Sequence, residues 1–69
     1  MKIAVIGAGN GGQAIAGYLS TQGYEVAVYD IVEEKINELK QLGGIQLEGR
    51  ISGFGKLNCI TTNIRIIIN

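Results

Sequence analysis

The stretch Ile3-Ala4-Val5-Ile6-Gly7-Ala8-Gly9-Asn10-Gly11-Gly12 joins an apolar run directly to the spacing G-x-G-x-x-G. Ile3 to Ile6 are apolar without alternation, which predicts a parallel strand covered on both faces. Gln13 to Gln22 then reads as a helix with Gly12, Ile15, Ala16 and Leu19 on one face, and Gly23 falls where helices commonly end in the left-handed conformation. Glu25-Val26-Ala27-Val28-Tyr29 is β-branched and aromatic, the composition of a second strand, and Asp30 follows it. The whole has the length of one βαβ unit, about thirty residues.

Glycine-rich turns are common, so the motif gains its meaning from these flanks. Between a strand and a helix, Gly7 permits the sharp turn, Gly9 leaves no side chain between the main chain and a pyrophosphate, and Gly12 lets helix and strand approach closely. Phosphates at this point would meet unpaired N–H groups, those of Asn10 and Gly11 among them, at the positive end of the helix dipole. Asp30 stands 18 positions after Gly12, near the roughly twenty-residue spacing at which an acidic side chain accepts hydrogen bonds from an adenosine ribose. A carboxylate there repels a 2′-phosphate, and Ile31 and Val32 supply no arginine to attract one, so NAD is expected and NADP disfavoured. Two plainer readings stand beside this one. The loop could be a tight turn that binds nothing, and Asp30-Ile31-Val32-Glu33 also fits a capping box for the next helix, with Asp30 as N-cap.

Sixty-nine residues hold little more than one of the two halves of a dinucleotide-binding fold. Chains this short seldom bury enough apolar surface for comfortable stability, so a homo-oligomer or a missing C-terminal domain is expected. A formal net charge of zero gives no basic surface for nucleic acid, and the apolar runs fall far short of a membrane span, which makes the cytoplasm the expected compartment. The single Cys59 excludes an internal disulfide and is read as a small buried hydrophobe; the absence of histidine removes the commonest general acid–base group. No metal ligands and no catalytic residues are assigned.

Val32 to Leu42 reads as a second helix, with Glu33 and Glu34 in its first turn, Lys40 in its last, and Gly43-Gly44 beyond it. Its inner stripe is expected to be Val32, Ile36, Leu39 and Leu42, with Glu34 and Glu38 solvated. Ile45 to Glu48 and Lys56 to Thr61 alternate, and the glycine-rich segment between them suggests a hairpin with a wide loop. Phe54 is expected at an edge or exposed, and Arg50 as an ordinary surface residue. Ile64 to Ile68 resembles a buried strand, either continuing the preceding one past a bend or left as an associating edge. The fold class expected is α/β, a Rossmann-like parallel βαβ half-domain with a C-terminal β-hairpin.

Several of these segments together resemble one family. The loop Gly7-Ala8-Gly9-Asn10-Gly11-Gly12, then Gly43-Gly44-Ile45-x-Leu47-x-Gly49, Gly53-Phe54-Gly55-Lys56-Leu57 and Thr61-Thr62-Asn63-Ile64 are similar to the N-terminal NAD(P)-binding domain of the octopine/nopaline (opine) dehydrogenases, from about Lys2 to Ile64. That resemblance implies NAD(P)H-dependent reductive joining of a 2-oxo acid to an amino group, with a separate helical C-terminal domain supplying most substrate and catalytic groups. The cofactor positions it carries over are Gly7, Gly9, Asn10, Gly11, Gly12 and Asp30. After Ile64 the pattern departs: the family's acidic helix and strand-plus-proline segment do not follow, and the chain has no proline. The expectation is therefore a partial dinucleotide-binding domain over residues 1–69, without a substrate domain and not catalytic alone. A nucleotide-sensing module of the potassium-transport regulatory type shares the first βαβ unit but fits the Gly43 to Leu57 segment less well; a self-associating fragment that binds nothing is the third reading.

Overall fold

A computed structural model describes residues 2–49 and 52–68. The βαβ unit forms from β1 (Lys2–Ile6), α1 (Asn10–Thr21) and β2 (Glu25–Tyr29). The two strands are parallel, with Ile3 opposite Val26 and Ile6 opposite Tyr29. A parallel pair requires a long crossover, and α1 supplies it. Next come α2 (Glu33–Leu42), β3 (Gly44–Leu47), β4 (Gly53–Lys56), β5 (Cys59–Thr61) and α3 (Ile64–Ile68). β5 returns to the first sheet and pairs parallel to β2, giving the strand order β1-β2-β5, while β3 and β4 form a separate antiparallel hairpin. The α/β class, the parallel half-domain and the hairpin are those expected from the sequence.

The differences lie in boundaries and faces. The alternating stretch 56–61 is divided: Lys56 closes the hairpin, and Cys59 to Thr61 belong to the parallel sheet. The hairpin accordingly precedes β5 and α3 instead of ending the chain. Ile64–Ile68 is helical, contrary to the strand expected there. Periodicity cannot separate helix from strand in so short an apolar run. The deciding signals are local, since the Thr61 hydroxyl accepts the Asn63 N–H at 2.9 Å and Asn63 Oδ1 accepts the Arg65 N–H at 3.0 Å, turning the chain into a helical start.

Strand alternation places Ile3, Val5, Val26, Val28 and Ile60 on one side of the sheet, where Val26 and Val28 are fully buried with Ala16, Ile36, Leu39, Ile45 and Leu57. Lys2, Ala4 and Ile6 face the other side and are exposed, so β1 is covered on one face only. An open groove there is bordered by Ala4, Ala27, half-buried Cys59, Ile66 and Ile67.

On α1, Ala16 and Gly17 are buried but Ile15 is 57% exposed, so the inner face is turned by about one residue from the one expected. The cause is the hairpin, which lies on α1 through Gly17 and Gly55; a Cβ on Gly55 would stand 2.5 Å from the Gly17 carbonyl oxygen. On α2, Ile36 and Leu39 are buried while Val32 and Leu42 are exposed, because the short helix offers the core only its middle turns. Phe54 is half-exposed on the hairpin, as expected, and Arg50 lies outside the described residues.

Candidate functional site

The register brings Ile6, Tyr29 and Thr61 side by side, so all three parallel strands end on one edge of the sheet. Ligands of open α/β sheets bind beyond this carboxyl edge. Gly7, Gly9, Asn10, Gly11 and Gly12 leave it from β1, and Asp30 leaves it from β2. The structure thus brings all six sequence-selected residues to one place.

The glycine loop is fixed at both ends. Gly7 turns at φ +111°, a conformation that side chains resist, and its N–H donates to the Tyr29 carbonyl at 2.7 Å. A Cβ on Gly12 would collide with the Gly7 carbonyl oxygen, so Gly12 is where the helix closes against its own turn. Gly9 is the N-cap in extended conformation and carries no capping side chain; a Cβ built on it meets nothing within 4 Å. The first turn of α1 is open beside Gly9, and Asn10 and Gly11 are exposed. No acidic residue occupies that turn, whereas α2 neutralises its own positive end with Glu33 and Glu34. Neither helix has a side-chain cap, but of the two α1 is the one whose first turn carries no acidic side chain of its own, which leaves its positive end the better suited to an anion.

Asp30 does not cap α2. That helix starts at Glu33 with Val32 as N-cap and has no side-chain cap hydrogen bond, so the expected capping box is not formed. Instead Asp30 Oδ1 accepts the Val32 N–H at 2.8 Å, and Oδ2 accepts the N–H of Ala8, 22 residues away in the glycine loop, at 2.7 Å. These bonds favour the carboxylate. The Val32 N–H, then the Ala8 N–H, hold the Asp30 pKa below the ordinary carboxylate range, with help from the Lys35 charge and against partial desolvation. Each oxygen retains lone-pair capacity for further donors such as ribose hydroxyls.

Ala8 and Gln13 were not singled out from the sequence. Ala8 is fully buried, its N–H held by Asp30 and its carbonyl by Gln13 Nε2 at 2.7 Å. Nothing in an alanine signals this role, because the bonds use only its backbone. Beside Asp30, Ile31, Val32, Glu33, Glu34 and Thr62 border an open pocket between the loops that follow β2 and β5. Ile31 is 78% exposed, and its place directly after Asp30 was the available clue.

A family model for the NAD binding domain of 6-phosphogluconate dehydrogenase matches residues 2–69. The chain belongs to that family. Opine dehydrogenase from Arthrobacter sp. (strain 1C) is 36% identical over 66 residues, 94% of this chain and 18% of that protein. The similarity to opine dehydrogenases expected from the sequence is present, and the chain spans less than a fifth of the length of that relative. NAD(H) is the cofactor of this domain. Among the described residues, no helix is long and apolar enough to cross a membrane.

Proposed function

We propose that this NAD-binding domain grips the ADP half of NAD(H) with Gly7, Gly9, Asn10, Gly11, Gly12 and Asp30, as the cofactor-holding part of an opine-dehydrogenase-like oxidoreductase. The observation that carries the reading is the open first turn of α1 beside a carboxylate that remains ionised. The donor set fits the group: N–H groups and a positive helix end suit a pyrophosphate, Gly9 leaves room for it, and Asp30 offers acceptors to ribose hydroxyls. The exposed Ile31 and Val32 supply apolar surface for an adenine ring in the neighbouring pocket. Asp30, Glu33 and Glu34 gather negative charge where the 2′-phosphate of NADP would lie, so NAD is preferred.

Bound NAD(H) supplies the hydride, and this chain's residues hold and orient it. The similarity to opine dehydrogenase favours reductive joining of a 2-oxo acid to an amine, acting on CH–NH groups, as the reaction of the whole protein. Substrate and proton-transfer groups come from outside these 69 residues, through a C-terminal domain or another protein chain, in the cytoplasm. No turnover with pyruvate and amino acids is expected of the isolated chain.

The experiment is a fluorescence titration with NADH and NADPH, repeated on Asp30→Ala. NADH should bind more tightly than NADPH, and the substitution should narrow the difference. No binding at millimolar cofactor, or an unchanged preference in the variant, would sink the proposal.

A further inference from the structure

We propose that Asp30 is also the positioning residue of the glycine loop: its carboxylate ties the phosphate-binding turn to the adenosine side of the site before any cofactor arrives. This deepens the proposed function and rests on it for the role of the loop.

Ala8 sits between Gly7 and Gly9 and is fully buried, so its peptide groups need partners within the protein. Its N–H has the Asp30 Oδ2 at 2.7 Å, a charge-assisted bond between segments 22 residues apart. The other oxygen of the same carboxylate holds the Val32 N–H at 2.8 Å, at the edge of the pocket formed by Ile31, Val32 and Thr62. One side chain thus fixes the two loops that a dinucleotide would have to span. The remaining anchors, Gly7 N–H to the Tyr29 carbonyl and Gln13 Nε2 to the Ala8 carbonyl, grip the turn from the strand and from the helix. Neither reaches the β2–α2 loop. Among the described residues, Asp30 is the side chain that links the two sides.

An ionised carboxylate is the group that can do this, because both oxygens accept. Asparagine has the same shape, but its NH2 group would confront one of the two N–H donors. Asp30→Asn therefore keeps one bond and breaks the other. Simple electrostatics makes the opposite forecast for phosphate binding, since removing a negative charge beside the loop attracts anions. The two effects can be told apart by sign.

The first measurement uses the unaltered 69-residue chain and no ligand. Amide proton shifts of Ala8 and Val32 are followed by NMR as the pH falls, together with the Asp30 carboxyl carbon. Both amides are expected to move upfield with the midpoint of the Asp30 carboxyl, below the ordinary carboxylate range. An Ala8 amide that ignores the Asp30 titration overturns the proposal. The second measurement compares inorganic pyrophosphate binding to the wild type and Asp30→Ala, which removes both bonds and so loses the Ala8 anchor, whereas Asp30→Asn can keep either one. Loss of the Ala8 anchor should weaken it by about tenfold, the scale of one buried hydrogen bond. Equal or tighter binding by the variant leaves Asp30 as a ribose acceptor alone and refutes the positioning role. If the wild-type chain itself ignores pyrophosphate, the phosphate cradle of the proposed function fails, and the amide titration still decides the anchor.

Discussion

Gly9→Ala and Gly12→Ala should fail in opposite ways, although the two glycines belong to one motif. At Gly9 the backbone is extended, at φ −73°, and a Cβ meets nothing within 4 Å, so alanine fits the folded chain without strain. Alanine is a poorer N-cap than glycine but reduces the freedom of the unfolded chain, and the two effects, each of about 0.5–1 kcal/mol, nearly cancel. At Gly12 the Cβ would overlap the Gly7 carbonyl oxygen and stand 3.1 Å from the Gly7 carbonyl carbon. These are backbone atoms of a turn held by Tyr29 and Asp30, so they cannot swing aside as a side-chain tip would. Overpacking against backbone that cannot move falls at the upper end of the usual cost, about 2–3 kcal/mol, against which the better helix propensity of alanine returns about 1 kcal/mol. A net loss of about 1–2 kcal/mol lowers the melting temperature of a domain this size by roughly 4–16 °C. Thermal melting followed by circular dichroism, at one fixed chain concentration, measures this for both variants. NADH titration then measures what each substitution does to binding. Gly9→Ala should melt within a few degrees of wild type yet bind NADH about tenfold more weakly or worse, because its methyl group occupies the approach to the N–H donors. A Gly12→Ala protein as stable as wild type, or a Gly9→Ala protein that binds NADH normally, would refute this division of roles.

On α2, Ile36→Ala should cost about 2–5 kcal/mol, since the side chain is 1% exposed, whereas Leu42→Ala should stay within about 0.5 kcal/mol because that leucine is 63% exposed; urea titration distinguishes them. Gly55→Ala places a methyl group against the Gly17 backbone and Ser20, and should destabilise the chain by about 1–3 kcal/mol, read as a lower urea midpoint at unchanged slope. Asp30 has a lowered folded pKa, so its contribution to stability is fully present above the unfolded carboxylate value of about 3.9 and is lost as pH falls through the lower folded value. Between neutral pH and about pH 2, wild type should lose stability more steeply than Asp30→Asn in that acid window; parallel curves would show that the two N–H bonds do not favour ionised Asp30.

Local chemistry made the first thirty residues legible. Strand β2 falls on the predicted Glu25 to Tyr29, and both long helices stop just before the expected glycines, Gly23 and Gly43, which take positive φ. The reading weakened wherever a residue's surroundings come from distant parts of the chain. Ile15 and Leu42 have the spacing of core residues, but burial on α1 is set by a hairpin thirty residues downstream, and α2 is too short to bury its last turn. Ile64 to Ile68 misled for another reason: four isoleucines around Arg65 are too few to carry a period, and the bonds of Thr61 and Asn63 to the backbone chose the helix.

The candidate site divides along the same line. Spacing alone placed the glycines and Asp30 together, because a strand–loop–helix–strand unit brings the ends of β1 and β2 to the same edge whatever the details. What spacing could not do was choose between a ribose acceptor and a helix cap for Asp30, since both need a carboxylate at that position. The structure resolves the second choice through Val32, which takes the N-cap position and leaves the Asp30 carboxylate turned toward the glycine loop. Its partner there is the backbone of a buried alanine, and a backbone donor has no letter in the sequence. A motif written as G-x-G-x-x-G counts Ala8 as an unspecified position; physically it is the residue through which the acidic end of β2 and the glycine turn are joined. Substituting Ala8 by a larger residue would therefore disturb both halves of the proposed grip through packing, while leaving every residue named by the motif unchanged.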